Sequence, residues 1–351
     1  MTAHASVRAS VIVDPHFRAM EEIFSPEQLA RLRGLVDVVW ARDEPMPDED
    51  FLRALPDAIA IVSGGWRYGD VLDQASSLRA ILTVSGGWPP ELNYPECFRR
   101  GIRVLSAAPA FAGAVAEMAI ALALACSRDV ATGDRAMRAG NERWLDAGCV
   151  GNFSLAGKRV GFLGYGNIGR RLHELLRPFR CEVAVYDPWL TDAYLRSQEV
   201  TPASLEDMLR SSRVVFVLAT PSSENRAVLS REGLELLRPG SVLVLVSRAH
   251  VVDFDALTEL VLAGRFKAGI DVFPTEPLEP EHPIRQAPGA VLSAHRAGPL
   301  EEALLDIGTR VVDDLEAIVR GLPPRRLQVA EPELASRHVR TTTLVVPRGP
   351  P

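Results

Sequence analysis

The chain has 351 residues, of which 47% are hydrophobic and 24% are charged. This ordinary globular composition and this length allow two domains, each with its own core. The net charge of −6 argues against a protein that binds nucleic acid mainly through electrostatic attraction.

The cysteines and the amino terminus indicate the compartment. The amino terminus lacks a basic segment followed by an apolar run, so we expect no signal peptide and a cytoplasmic protein. No cysteine spacing is typical of a zinc site, so we expect no bound metal. Reduced, buried thiols are therefore expected at Cys97, Cys126, Cys149 and Cys181.

About the first hundred residues alternate β-branched runs with amphipathic stretches, a pattern that predicts a parallel sheet with flanking helices. One helix is expected around Pro26–Leu35. The expected strands are Ser10–Val13, Ala58–Val62, Ala80–Val84 and Arg103–Leu105.

The tetrapeptide Ser-Gly-Gly-Trp directly follows two of these strands, at Ser63–Trp66 and Ser85–Trp88. Open α/β sheets bind ligands in loops at the carboxyl ends of their strands. Two interpretations stay open here: these are ligand-binding loops, or they are simple turns with a packing tryptophan.

A small, flexible segment at Pro109–Gly113 leads into an apolar helix from Ala114 to about Cys126, which we interpret as the crossing between two domains. Its most apolar part is interrupted by Glu117 and is too short to span a bilayer, so a buried helix is expected. The polar stretch from Asp129 to Ser154 predicts a surface arm or an oligomer contact.

The stretch Lys158–Asp187 has the order strand, glycine turn, helix, strand, with the motif G-x-G-x-x-G directly after the first strand. Gly164 lets the chain turn sharply, Gly166 lets the backbone approach a pyrophosphate, and Gly169 lets the helix pack on the sheet. The helix start would offer its N–H groups to the phosphates. This combination predicts a dinucleotide-binding domain.

The acid that ends the second strand indicates which dinucleotide is bound. A carboxylate at Asp187 would accept hydrogen bonds from ribose hydroxyls and would repel a 2′-phosphate. The sequence therefore favours NAD over NADP.

Six strands are expected in this second domain, the number that a doubly wound dinucleotide domain needs. A long helix from about Glu301 to Arg320 would return to the first domain, and the polar end from about Glu331 is expected to be poorly ordered. The six strands are Arg159–Leu163, Glu182–Tyr186, Arg213–Leu218, Ser241–Val246, Lys267–Asp271 and Ala290–Leu292.

Three polar groups follow neighbouring strands of this domain and would converge near a nicotinamide ring. Arg248, Glu276 and His295 are their central residues. Taken singly, each also has an ordinary interpretation, as a surface arginine, a loop glutamate or a core histidine.

Four ordered motifs make the chain similar to the D-isomer-specific 2-hydroxyacid dehydrogenases. They are Gly157–Gly169, Ser247–Asp253, Asp271–Phe273 with Glu276-Pro277, and His295–Gly298. The resemblance implies two doubly wound parallel-sheet domains, a flavodoxin-like substrate domain and a Rossmann NAD domain with a cleft between them. It also implies a homodimer and no metal.

The implied domain bounds are 1–112 plus 298–330 for the substrate domain and 113–297 for the NAD domain, with a tail at 331–351. In the implied chemistry, Arg248 holds the substrate carboxylate, and His295 exchanges a proton with the substrate as hydride moves. Glu276 pairs with His295 and orients its ring.

The implied cofactor and substrate contacts involve further residues at the strand ends. The cofactor set is Gly164, Gly166, Asn167, Ile168, Gly169, Asp187, Ala219, Thr220, Pro221, Val246, Ser247, Arg248, Asp271, His295 and Gly298. The substrate set is Gly86, Gly87, Trp88 and Arg248.

Departures from the family pattern leave the substrate open. The loop that usually has the form G-x-G-x-D-N is here Gly86–Glu91, with a tryptophan and two prolines that would form a stiff, bulky wall. Arg67 and Arg296 would reach a second anionic group, or are simply solvated arginines.

Three functions are therefore compatible with the sequence. The first is reduction of a small 2-oxo acid to a D-2-hydroxy acid with NADH, or the reverse reaction. The second is oxidation of a phosphonate or another oxyanion, and the third is an NAD-sensing binding protein without turnover.

Overall fold

The computed structural model describes residues 8–335 and 337. These residues form two compact units. Unit 1 comprises residues 8–111 and the segment that starts at residue 299, and unit 2 comprises residues 112–298.

The described residues contain thirteen strands and thirteen helices, besides short 3-10 turns. The strands are β1 (Ser10–Asp14), β2 (Asp37–Trp40), β3 (Ala58–Ser63), β4 (Ala80–Thr83), β5 (Arg103–Ser106), β6 (Arg159–Leu163), β7 (Glu182–Tyr186), β8 (Thr201–Pro202), β9 (Val214–Val217), β10 (Val242–Leu245), β11 (Lys267–Ile270), β12 (Ala290–Leu292) and β13 (Gln328–Val329). The helices are α1 (Met20–Ile23), α2 (Pro26–Leu35), α3 (Asp48–Ala54), α4 (Tyr94–Arg99), α5 (Ala108–Ser127), α6 (Val130–Ala139), α7 (Asn167–Leu176), α8 (Asp192–Ser197), α9 (Leu205–Ser211), α10 (Arg231–Glu235), α11 (Phe254–Leu262), α12 (Glu301–Val319) and α13 (Pro332–Ala335).

The sheet of unit 1 has the strand order β2-β1-β3-β4-β5-β13. All neighbours pair in parallel except β13, which runs antiparallel to β5 at the edge. The order 2-1-3-4-5 is that of a flavodoxin-like fold. The four strands expected from the sequence are all present, whereas the short edge strands β2 and β13 were missed.

Both faces of this sheet are covered, because alternate residues of each strand enter different cores. Val11, Val13 and Val62 belong to one core, which α2 and α12 complete. Ile12 and Ile61 belong to the other core, on the side of α3 and α4. Unit 1 is therefore doubly wound.

The sheet of unit 2 has the order β8-β7-β6-β9-β10-β11-β12, and every pair is parallel. Counted from β6, this is the 3-2-1-4-5-6 order of dinucleotide-binding domains with a seventh strand added. The six predicted strands are present. The strand that was missed, β8, has two residues and carries no hydrophobic run.

Side-chain caps explain where several helices of unit 2 begin. Thr191, Ser204, Ser230 and Asp253 each accept a hydrogen bond from the backbone N–H three residues ahead. Such caps satisfy N–H groups that have no partner inside the helix.

Helix α5 corrects two expectations. It starts at Ala108, so Pro109–Gly113 is helical rather than flexible; proline is tolerated in the first turn, where its missing N–H costs no hydrogen bond. With 20 residues it is long and apolar enough to cross a bilayer, contrary to the expectation. Half of its apolar stretch is nevertheless buried inside the protein. A core helix has this same signature.

Two further corrections concern the chain end and the cysteines. Pro332–Ala335 forms α13 and Ala335 is buried, so the poor order expected from Glu331 does not apply there; residues 336 and 338–351 lie outside the described residues. Cys97 and Cys126 are buried as expected, but Cys149 is exposed and Cys181 is half-buried.

Candidate active site

The predicted site residues of unit 2 lie along one edge of its sheet. Because all strands of this sheet are parallel, their carboxyl ends share that edge. Gly164 follows β6, Asp187 follows β7, Ser247 follows β10 and Asp271 follows β11. The loop after β12 carries His295.

The glycine turn has the geometry that a dinucleotide-binding motif needs. Gly164 has φ of 96°, and a β-carbon there would lie 2.9 Å from the backbone of Ala219. A β-carbon on Gly169 would lie 3.1 Å from the carbonyl oxygen of Gly164. The turn is therefore closed by its own backbone and by the loop after β9, and neither position has room for a side chain.

Helix α7 starts at Asn167, directly after the turn, with Gly166 as its N-cap residue. Its apolar face buries Leu172 and Leu176. The first N–H groups of any α-helix point out of its amino end, so the start of α7 is a place where backbone N–H groups can bind a phosphate.

Asp187 is held at the end of β7 by backbone hydrogen bonds. One carboxylate oxygen accepts from Tyr165 N–H at 2.8 Å and the other accepts from Trp189 N–H at 2.9 Å. These bonds fix the orientation of the carboxylate while leaving lone pairs on both oxygens. Two ribose hydroxyls can use them.

Two observations show that the residues present fit a dinucleotide. A β-carbon on Gly166 would meet no protein atom within 4 Å, so protein packing is not what requires this glycine. Ser247 Oγ is buried, and it has no hydrogen-bond partner among the described residues. A buried hydroxyl without a partner is costly, and a cofactor hydroxyl or phosphate would satisfy it.

The loop with Ala219, Thr220 and Pro221 is organised by residues that the sequence did not single out. Asn225 donates to Thr220 O at 2.7 Å and accepts from Ser222 N–H at 2.7 Å. The His250 ring contacts Ser222 O at 3.3 Å. An asparagine inside a polar loop is a weak sequence signal, because such residues serve ordinary turns equally well.

His295 and Glu276 form the closest polar pair of the site. His295 Nδ1 lies 2.6 Å from Glu276 Oε2, and the other oxygen of Glu276 accepts from Phe273 N–H at 3.0 Å. About a third of the His295 side chain is exposed, against 16% of Glu276. Burial alone would raise the pKa of Glu276, but the hydrogen bonds from His295 and Phe273 N–H outweigh it and lower this pKa.

Asp271 anchors the loop that carries His295. Its carboxylate is fully buried and accepts hydrogen bonds from Arg296 N–H at 2.9 Å and Ala297 N–H at 3.1 Å. Its carbonyl oxygen accepts from His295 N–H at 2.8 Å. His295 has φ of 53°, a conformation that needs such support in a residue with a side chain.

Arg248 is half-buried and has no carboxylate partner within the described residues, where its side chain donates only to Ser247 O, at 2.7 Å. Burial lowers its pKa, whereas the nearby charges of Glu276 and Asp271 oppose this change. Arginine stays charged under these conditions. The site thus holds a desolvated cation next to a histidine–carboxylate pair.

The predicted substrate residues of unit 1 are placed differently. Gly86 and Gly87 follow β4 in a partly exposed turn, and Gly87 O accepts from the hydroxyls of Thr83 and Ser85, both at 3.1 Å. The side chains of Trp66 and Trp88 are both buried in the same core. This favours the interpretation of both tetrapeptides as turns with a packing tryptophan and gives no support to a bulky tryptophan wall.

Three comparisons place the chain among known proteins. The D-isomer specific 2-hydroxyacid dehydrogenase NAD-binding domain matches residues 120–297, which is half of the chain. A crystal structure of a phosphoglycerate oxidoreductase from Rhizobium etli superposes with a TM-score of 0.82 and is 34% identical, over 93% of this chain and 99% of that one.

Two curated relatives are slightly more distant in sequence. A glyoxylate reductase from Thermofilum pendens is 29% identical over 84% of this chain and 89% of its own length. A D-3-phosphoglycerate dehydrogenase from Archaeoglobus fulgidus is 28% identical over 80% of this chain but only 53% of its own length. The chain thus belongs to the D-isomer specific 2-hydroxyacid dehydrogenases, which are NAD-dependent oxidoreductases with a Rossmann domain.

Proposed function

We propose that the protein interconverts a small 2-oxo acid and a D-2-hydroxy acid, with His295 as the proton donor and acceptor. The contact of 2.6 Å between His295 Nδ1 and Glu276 Oε2 carries this proposal. An imidazole paired with a carboxylate through one nitrogen keeps the other nitrogen for proton exchange.

The histidine–carboxylate pair defines which ring nitrogen reacts. Glu276 accepts from Nδ1 and stabilises the positive charge of the protonated ring, so Nε2 exchanges the proton with the substrate oxygen. Phe273 N–H fixes the Glu276 carboxylate, and Asp271 fixes the backbone of the His295 loop. The ring is thereby positioned before the substrate arrives.

Arg248 would bind the substrate carboxylate and polarise the carbonyl at C2. Its planar guanidinium suits a carboxylate, and it forms no ion pair with an acid among the described residues. Partial burial strengthens this interaction, because the local dielectric constant is lower than that of water.

When bound, NAD supplies the hydride acceptor or donor at its nicotinamide ring. Asp187 would accept hydrogen bonds from the adenosine ribose and repel a 2′-phosphate, which makes NAD the preferred dinucleotide over NADP. Asn167 and Ile168 would bind the pyrophosphate, and Val246, Ser247 and Gly298 would border the nicotinamide half.

A homodimer is also part of the proposal. The segment after α5 carries five large hydrophobic side chains that are more than half exposed, namely Val130, Met137, Trp144, Leu145 and Val150. Such a group of exposed apolar side chains is typical of an interaction surface. Sedimentation at micromolar concentration tests this, and a monomer would contradict it.

A cytoplasmic location is the expected one for a protein with reduced thiols, and cell fractionation tests it.

The decisive experiment is a panel of 2-oxo acids with NADH, repeated with NADPH. We expect NADH oxidation with at least one oxo acid and formation of the D-hydroxy acid, which chiral chromatography identifies. Tight NADH binding without turnover of any oxo acid would overturn the enzymatic proposal.

A further inference from the structure

Two arginines of the chain are candidates for binding a second anionic group of the substrate, and the structure separates them. Arg67 donates to Asp14 Oδ2 and to Asp48 Oδ1, each at 2.9 Å. Asp14 is only 2% exposed. Taking Arg67 away from Asp14 would leave a buried carboxylate without its cation, which is strongly unfavourable. Arg67 therefore stabilises unit 1 through its ion pairs and is not free to bind a substrate.

Arg296 has the opposite arrangement. Its backbone N–H is held by the buried Asp271 carboxylate at 2.9 Å, one residue after His295. Its side chain is exposed, and no hydrogen bond or ion pair of its guanidinium occurs within residues 8–335 and 337. A free guanidinium thus starts from a backbone position that is fixed relative to the reactive imidazole.

Two acids that contact the loop of His295 and Arg296 already have hydrogen-bond partners. Glu276 bonds His295 and Phe273 N–H, and Asp271 bonds Arg296 N–H and Ala297 N–H. Neither acid forms an ion pair with Arg248 or Arg296 among the described residues. If one carboxylate of the substrate binds Arg248, the guanidinium of Arg296 is still available for another anion.

We propose that Arg296 selects 2-oxo and 2-hydroxy acids that carry a second anionic group. This inference rests on the function proposed above. The shared chemistry is a second oxyanion, either a carboxylate or a phosphate, because the guanidinium fork binds both with paired hydrogen bonds. Acids with an uncharged side chain would be poorer substrates.

The test compares matched substrates in the wild type and in Arg296→Gln. One arm pairs 2-oxobutyrate with 2-oxoglutarate, and the other pairs hydroxypyruvate with its 3-phosphate. In the wild type we expect the doubly anionic member of one pair to have the higher kcat/KM. Arg296→Gln should lower that value roughly 10- to 100-fold, mainly through KM, because one charged hydrogen-bonding partner is lost.

Two further variants serve as controls. Arg296→Lys keeps the charge without the fork and should recover part of the loss. Arg238→Gln removes another exposed arginine, which precedes β10 at the opposite edge of the same sheet. This variant should leave kcat/KM unchanged for both members of each substrate pair. The Kd of NADH, from its fluorescence on binding, should be the same in all variants.

Two results would overturn the inference in different ways. If wild type turns over uncharged-chain acids as well as doubly anionic ones, or if Arg296→Gln lowers kcat/KM equally for both, only the role of Arg296 is wrong. If wild type binds NADH and turns over neither member of either pair nor any other oxo acid, the proposed function itself fails.

Discussion

Both units carry an arginine and a carboxylate at their strand ends, and the two groups form an ion pair only in unit 1. In unit 1, Asp14 binds Arg67 and the hydroxyl of Tyr68, and these three residues are called the closed cluster. In unit 2, Glu276 binds His295, and Arg248 has no acid partner among the described residues; these three are called the open cluster.

The difference lies in which partner each carboxylate takes. Asp14 binds the permanently charged Arg67 and the hydroxyl of Tyr68. Burial and the hydrogen bond to Asp14 raise the pKa of Tyr68, so the closed cluster is structural. Glu276 binds the imidazole of His295, so Arg248 forms no ion pair with it and its guanidinium can bind another anion. Similar groups therefore build a structural ion pair in one unit and the proposed substrate-binding site in the other.

Loss of His295 should produce the largest effect on the open cluster. We expect His295→Ala to lower kcat roughly 100- to 10,000-fold, because the proton donor is removed. The Kd of NADH should not change. Stopped-flow turnover and fluorescence titration measure these quantities. His282→Asn, at another histidine of unit 2, is the control; an active His295→Ala variant would show that the open cluster is not the reaction centre.

Matched arginine variants test the comparison directly. Arg248→Gln should reduce kcat/KM at least about 100-fold, since the substrate carboxylate loses a paired interaction, with little change in stability. Arg67→Gln should lower the free energy of unfolding by about 1–3 kcal/mol, because buried Asp14 loses a partner. Urea unfolding and steady-state kinetics separate the two. If both variants lost activity and stability to the same extent, the assignment of Arg248 to substrate binding and of Arg67 to structure would be wrong.

Glu276→Gln should have a smaller effect on activity, about 10- to 100-fold on kcat, because the ring is kept but loses its anionic partner. The variant also tests stability. The folded pKa of Glu276 is lowered, so its contribution is present above the ordinary glutamate pKa of about 4.3 and is lost as pH falls through the folded value. Urea unfolding from about pH 6 to 3 should show this loss in wild type and not in the variant.

Asp187 extends the comparison to a carboxylate whose hydrogen bonds within the described residues come from backbone N–H groups. Asp187→Ser should reduce kcat/KM for NADH about 10-fold and raise the relative rate with NADPH, because a charged acceptor is lost and repulsion of the 2′-phosphate ends. Kinetics with both dinucleotides measure the ratio. An unchanged ratio would mean that Asp187 does not face the ribose.

Much of the fold could be predicted because its signals are local. Helix α2 begins at Pro26 after the Ser25 cap and ends at Leu35, as expected. The missed strands β2 and β8 lie at sheet edges and have only four and two residues, which is too short for a clear alternating pattern. Helix α5 was predicted to start too late because Pro109 was interpreted as a break, although the first helical turn accepts proline.

The sequence by itself determined the doubly wound class, the glycine turn and the identity of the three polar groups at the strand ends of unit 2, because period, glycine spacing and residue chemistry are properties of neighbouring positions. The family resemblance implied that Glu276 pairs with His295, and the tertiary structure shows the geometry of that pair. Only the tertiary structure decided that Arg67 bonds Asp14 and that Trp88 is buried in a core. These partners are distant in the chain, and the packing of each unit selects among several equally suitable side chains.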